Sequence, residues 1–139
     1  MDIGFPDTTT LSEKGAEFEI LNPKTLERTH LYFTILGPDS KRYTQIVKDV
    51  MAEMARKNTK SATMDDLGKD IVIRSVLGFR AEKLEGEKWV NEKIELDGQE
   101  LIFSEPNVRK IIELMPTIWA HLAEIQKNRG NFLRKSATN

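Results

Sequence analysis

The chain has 139 residues, with 21 Lys and Arg against 22 Asp and Glu, so its formal net charge is −1. This length suits one domain, and the near-neutral balance argues against a dedicated nucleic-acid-binding protein, whose surface would be strongly basic. The absence of cysteine excludes disulfides, thiol nucleophiles and cysteine-based metal sites. No apolar run reaches the roughly 20 residues that a transmembrane helix needs, and the N-terminus lacks a signal-peptide pattern. We therefore expect a soluble intracellular protein without membrane or nucleic-acid partners.

The N-terminal part of the chain predicts a flexible segment followed by a β-hairpin. Residues 1–15 show no periodic pattern, and their Thr, Ser, Gly and Pro content is typical of loose termini. Phe18 and Ile20 then alternate with glutamates, which is the period of a half-buried strand. A turn signal at 22–25 is followed by the β-branched and aromatic run 30–36, so we expect a hairpin over 16–36.

Two helices are expected after this hairpin. In the first of these, apolar residues recur at helical spacing and predict a helix near 40–57. Asp39 or Ser40 is expected to cap its N-terminus. Its methionines are interpreted as core residues, although methionine-rich faces also adapt to helical partners. The second helix is predicted from about Thr63 to about residue 83, where Gly68 and Gly78 would let another helix approach closely. The stripe of the first helix comprises Tyr43, Ile46, Val47, Val50, Met51 and Met54.

The second half of the chain predicts a short hairpin and two more helices. Asp97-Gly98 within the acidic stretch 82–100 is a strong hairpin signal. Ser104 is expected to cap a helix, and Pro116 separates that helix from the last one. We therefore expect an α+β, mostly α-helical fold, with an N-terminal β-hairpin, about four helices and a short second hairpin. One domain should cover 16–135, between a flexible 1–15 and a flexible 136–139.

No residue pattern in the sequence indicates catalysis or ligand binding. The two histidines, His30 and His121, have no partner at metal-ligand spacing, and Asp65-Asp66 is interpreted as helix capping. Nucleophile and phosphate-loop motifs are absent. We expect no enzyme, no cofactor and no metal. Trp89 and Trp119 are interpreted as core residues, with an interface role as the alternative.

The order of several short motifs resembles that of tail assembly chaperones of tailed phages. The hairpin contains an FExxxP motif, and the sequence LGPDS at 36–40 opens the first long helix. Trp89 then precedes Asp97-Gly98, a Phe-Ser-x-x-Asn motif at 103–107, a proline-led helix over 116–127 and an Asn-Phe pair at 131–132. The likeness extends over about residues 17–134. The motifs are short, and their order and spacing carry the resemblance.

The resemblance implies a protein-binding role. Such chaperones bind the tape measure protein, a long helical protein that sets tail length, in the host cytoplasm. They keep it soluble until tail-tube subunits polymerise around it and displace them, so the tail-tube protein is a further expected partner and the chaperone is absent from the mature virion. Self-association along the client is also expected. A longer frameshifted product occurs in many such phages, and the sequence leaves that question open.

Two alternatives and a set of contact residues complete the expectations. A permanent structural or connector protein of a phage or prophage tail is the main alternative, and a small enzyme or regulator is a weaker one. A long helix with an apolar stripe aggregates unless its stripe is covered, so apolar residues off the main stripes are the predicted client contacts. They lie on the second and last predicted helices and are Ile73, Leu77, Trp119, Phe132 and Leu133.

Overall fold

A four-stranded antiparallel sheet lies beneath a layer of helices in the computed structural model, which describes residues 7–57 and 64–133. The elements in chain order are α1 (Thr9–Lys14), β1 (Ala16–Leu21), β2 (Arg28–Ile35), α2 (Lys41–Lys57), α3 (Met64–Ser75), β3 (Val76–Glu85), β4 (Lys88–Glu92), β5 (Glu95–Leu96), β6 (Gln99–Glu100), α4 (Glu105–Leu114) and α5 (Ile118–Lys127), followed by a 3₁₀ turn (Arg129–Phe132). The sheet order is β1-β2-β3-β4, and β5 and β6 form a separate two-stranded hairpin.

The register of the sheet separates an apolar face from a charged face. Phe18 lies opposite Phe33, and Phe33 lies opposite Phe79, so one row of aromatic rings crosses three strands. Directly opposite residues share a face of an antiparallel sheet, and this row packs against the helices. The helical layer is built around α3, which contacts α2, α4 and α5. The buried core comprises Ile20, Phe33, Ile35, Val72, Ile73, Val76, Val108, Ile111, Ile112, Ile118, Leu122 and Phe132.

The prediction of a second helix reaching residue 83 is wrong. Helix α3 ends at Ser75, and the chain continues as the ten-residue strand β3. The periodicity was ambiguous because Phe79 and Ala81 also alternate at the period of a strand, and pairing with β2 gives that alternation a buried face. The observed fold is therefore mixed α and β, with five α-helices and a four-stranded sheet in the described residues, and is less helical than expected.

The structure places a helix within the N-terminal segment that the sequence predicts to be flexible. Residues 9–14 form α1, because the Asp7 carboxylate accepts hydrogen bonds from the amides of Thr9 and Thr10 at 3.0 and 3.2 Å. Gly15, with φ +81°, ends the helix in a conformation that favours glycine. The Ser12 carbonyl accepts a hydrogen bond from the Gly37 amide at 3.0 Å, which fastens α1 to the loop after β2. The other predicted flexible residues, 1–6 and 136–139, lie outside the described residues.

Five local predictions are confirmed. The hairpin over 16–36 is β1 and β2, and the first long helix is α2. The Asp97-Gly98 turn joins β5 to β6 with φ values of +53° and +79°, as a tight hairpin turn requires. The Ser104 side chain caps α4 by accepting a hydrogen bond from the Asn107 amide at 3.2 Å, and α5 begins after Pro116.

None of the helices within the described ranges is long and apolar enough to cross a membrane.

Candidate partner-binding surfaces

The charged face of the sheet is an ion-paired surface. Arg80 extends across three strands, donates two hydrogen bonds to Glu17 at 2.6 and 2.7 Å, and also pairs with Glu82. These partners, Glu17 first, raise the pKa of the Arg80 guanidinium, which lies 4.4 Å from the Tyr32 ring centroid. Glu19 is bound in turn by Arg28 at 2.9 Å. Because Glu17, Glu19 and Glu82 are each ion-paired, this face presents a satisfied charge network.

The two histidines lie apart and assemble no ligand set. His30 stands on β2 with φ +59°, and its ring stacks on Trp89 with 4.2 Å between centroids. His121 is exposed on α5. In the parts of the chain that the structure describes, no three His, Cys, Asp or Glu side chains form a cluster suited to a metal ion.

The five predicted contact residues do not form one exposed surface. Ile73 and Phe132 are buried in the core, and the Phe132 ring packs edge-on against Phe18 at 5.8 Å between centroids. Trp119 is half-buried and lies over Gly68, where its Cζ3 atom would be 3.1 Å from an added Cβ. Ile73 and Phe132 are therefore not exposed contact residues: Ile73 is buried in α3 just before the chain turns into β3, and Phe132 is buried because the 3₁₀ turn packs against Phe18 and Gly37.

The other two predicted contact residues keep some exposure. Leu77 is half-buried on β3 rather than on a helix, and its Cδ1 atom would be 2.9 Å from a Cβ added at Gly15. Leu133 is 42% exposed. The close approach expected at Gly68 is present, whereas Gly78 has no atom within 4 Å of an added Cβ. The core interpretation is wrong for Trp89, which is 49% exposed on β4, while Trp119 packs against the core as predicted.

An apolar cleft of about 670 Å³ lies between the β1–β2 turn and the junction of α4 with α5. Leu26 and Leu114 stand at the cleft with 71% and 60% of their surfaces exposed, which is unusual for large apolar side chains close together. Among the described residues that line the cleft, Lys24 and His121 are the basic side chains, and none is an Asp or Glu. The lining residues are Leu21, Asn22, Pro23, Lys24, Leu26, Leu114, Met115, Pro116, Thr117, Ile118 and His121.

The backbone of the β1–β2 turn holds Leu26 in a left-handed conformation. Its φ is +59°, a value that glycine and asparagine adopt readily and that a side chain of this size rarely does. The turn is fixed by hydrogen bonds from the Leu26 amide to the Asn22 carbonyl and from the Asn22 amide to the Glu27 carbonyl, both 2.8 Å long. The Asn22 side chain also accepts hydrogen bonds from the amides of Lys24 and Thr25. A strained leucine is thus presented at a rigid turn.

The other wall of the cleft is formed where α4 stops and α5 starts. Pro116 cannot continue the preceding helix, and the Met115 and Ile118 amides instead donate to the carbonyls of Ile112 and Met115 at 3.2 and 2.9 Å. This tight connection leaves Leu114 and Met115 beside the turn while Ile118 is buried below them. The sequence signals for the turn and for the helix break are clear separately. Nothing in the sequence pattern shows that the fold brings the two together.

Comparison with known proteins gives no match to this chain: no family model, no curated protein and no solved structure is similar to it.

Proposed function

We propose that this protein is a tail assembly chaperone of a tailed phage or prophage, which acts in the host cytoplasm and binds the tape measure protein until tail-tube subunits replace it. Two independent features support the proposal. The order of motifs along the chain resembles that family, and the structure carries an apolar cleft with exposed leucines at its rim. The single observation on which the proposal depends is Leu26, which is strained and exposed at that rim.

The cleft suits the chemistry of a helical client. A helix with an apolar stripe presents side chains at intervals of three and four residues, and a groove with apolar walls takes one or two of them out of water. Strained residues persist where the surrounding structure fixes them, and they are concentrated at ligand-binding positions. Leu26 is therefore interpreted as an anchor for the client, supported by Leu114 on the opposite wall.

The size of the cleft also suits a reversible chaperone. Burying the exposed parts of two leucines contributes about 2–4 kcal/mol before the costs of association, so one copy binds weakly. Several copies along one client gain avidity without tighter individual contacts, which is why self-association belongs to the proposal. Tube subunits then displace the copies one at a time, and no bond-making step is involved.

The test is co-expression with the long coiled-coil-rich protein encoded next to this chain. The wild-type chain is expected to keep that client in the soluble fraction, and Leu26→Gly combined with Leu114→Gln is expected to lose this effect. Leu84→Ser is the matched control, because Leu84 is also an exposed leucine but lies on β3 outside the cleft. A client that stays equally soluble with the double variant, or that aggregates with all three proteins, contradicts the proposed function.

Mass spectrometry of purified particles separates this role from that of a permanent tail or connector protein. A chaperone is expected to be absent from finished virions. Recovery of the chain in mature tails at a fixed ratio to the tail-tube protein would favour the structural alternative instead.

A further inference from the structure

Within the described residues, the principal neighbour of helix α2 is α3. Val50, in the middle of the α2 stripe, is buried. Met51, on the next position of the apolar stripe, is 55% exposed, and Val47 is half-exposed one turn earlier. Residues four apart on a helix are neighbours, so Val47 and Met51 form a continuous apolar strip along the flank that α3 leaves open.

Most of the charges that α2 presents to solvent are cationic, and Asp49 is its exposed acidic residue. Lys41, Arg42, Lys48 and Arg56 are exposed, and none forms an ion pair with another residue in the described ranges. The two acidic residues of α2 are already engaged. Asp49 accepts a hydrogen bond from Gln45 at 2.8 Å, and Glu53 pairs with Arg74 of α3 at 2.6 Å. A partner on this side therefore meets unpaired positive charge.

The position of the lysines relative to the strip is specific. Lys41 and Lys48 are seven residues apart, so they lie on the same side of α2 two turns from each other. Lys48 is also three residues before Met51, which places it beside the apolar strip. Methionine side chains are flexible and polarisable and adapt to different helical partners. Together these residues make a narrow apolar surface bordered by positive charges at a helical repeat.

We propose that the open flank of α2 is a docking surface for an acidic amphipathic helix of a partner protein. The partner's apolar stripe lies on Val47 and Met51, and carboxylates seven residues apart on it pair with Lys41 and Lys48. This surface shares no lining residue with the cleft, so the inference stands apart from the proposed function. Complementary charges of this kind fix the register and orientation of two helices more than they add affinity.

Two other classes of partner fit the surface less well. The charged backbone of a nucleic acid would not pack against the apolar strip, and the chain has no net positive charge. A membrane-bound amphipathic helix buries a broad apolar face in the lipid, whereas the centre of the α2 stripe, at Val50, is already buried within the fold.

The experiment uses the full chain and a fluorescent synthetic helix with a leucine stripe and glutamates repeating every seven residues. Fluorescence anisotropy is expected to show saturable binding by the wild type. Met51→Ser should weaken binding by about tenfold or more, as expected for a residue at the centre of an interface. Lys48→Glu should weaken it by about as much, because it places a carboxylate opposite the glutamates of the peptide. Lys88→Glu, an exposed lysine on β4, is the control and should bind as the wild type does. All variants change exposed side chains, so circular dichroism should show an unchanged fold.

A second peptide of opposite charge, with lysines in place of the glutamates, tests the charge pairing. It is expected to bind Lys48→Glu better than it binds the wild type, which a merely structural effect of the substitution would not produce. Equal binding of both peptides by both proteins would overturn the proposal. So would saturable binding of duplex DNA or phosphatidylglycerol vesicles that depends on Lys48 while neither peptide binds. A concentration-dependent dimer that Lys48→Glu abolishes, again without peptide binding, would instead assign the surface to a second copy and overturn the proposal as well.

Discussion

Replacing Leu26 by glycine and, separately, by alanine separates the strain at this residue from its proposed binding role. At most positions of a folded chain glycine is less stable than alanine by about 0.5–1 kcal/mol, because glycine loses more backbone entropy on folding. Leu26 has φ +59°, where alanine keeps the steric cost of the left-handed conformation and glycine does not. We therefore expect the usual order of stability to be inverted.

The magnitude follows from the exposure and the backbone angle. Leu26 is 71% exposed, so either substitution removes burial of about three-tenths of a leucine, worth roughly 0.5–1 kcal/mol. Glycine additionally relieves a left-handed strain of about 1–2 kcal/mol and loses about 0.5–1 kcal/mol in entropy. The free energy of unfolding of Leu26→Gly should thus lie within about 0.5 kcal/mol of the wild type. It should exceed that of Leu26→Ala by about 0.5–1 kcal/mol.

Thermal unfolding and client solubility, measured on the same three proteins, complete the test. The melting temperature of Leu26→Gly should exceed that of Leu26→Ala by roughly 2–5 °C. Both variants should lose client protection to the same extent, because both remove the side chain. If alanine is the more stable of the two, the left-handed geometry at this position is refuted. If client protection follows stability rather than the loss of the leucine, the anchor role is refuted.

Three further predictions concern the fold. Gly37→Ala should lower the free energy of unfolding, measured by chemical denaturation, by about 1–3 kcal/mol, because an added Cβ would be 2.6 Å from the Phe132 ring. Gly78→Ala is the control: an added Cβ there has open space around it, so the free energy of unfolding should stay within about 0.5 kcal/mol of the wild type. Ser104→Ala should cost about 1 kcal/mol by the same measurement, through loss of the α4 cap. A hydrogen bond from Thr8, and to a smaller extent one from Arg129, lowers the pKa of the Asp39 carboxyl below its usual 3.8. The stabilisation is therefore present above that value and lost as the pH falls through the lowered pKa, so Asp39→Asn should flatten the fall in melting temperature below about pH 4.

Local signals in the sequence were sufficient wherever one short-range interaction decides the structure. The Asp97-Gly98 turn, the Ser104 cap and the break at Pro116 each depend on the chemistry of two to four neighbouring residues. The long helix α2 was equally clear because its apolar stripe continues over four turns. These features depend little on the rest of the fold.

Features that depend on distant residues were not predictable in the same way. The run from Val76 to Ala81 fits both a helical and a strand period, and only pairing with β2 decides between them. Likewise, Phe132 is buried because the chain returns to Gly37 and Phe18, which are 95 and 114 residues earlier in the sequence. The same limit applies to the cleft, whose walls come from residues 21–26 and 114–121.

The residues most informative about function are the apolar side chains that the fold leaves exposed to water, at a cost in free energy. Burial explains Ile73 and Phe132 fully, so their apolar character indicates nothing about a partner. Leu26 is different, because a glycine at its position would relieve strain and a polar residue would suit its exposure. Met51 also gains little from folding, since the fold buries its neighbour Val50 and leaves the methionine exposed to water. Neither stability nor solubility favours these two side chains, so contact with another protein is the role that we propose for them.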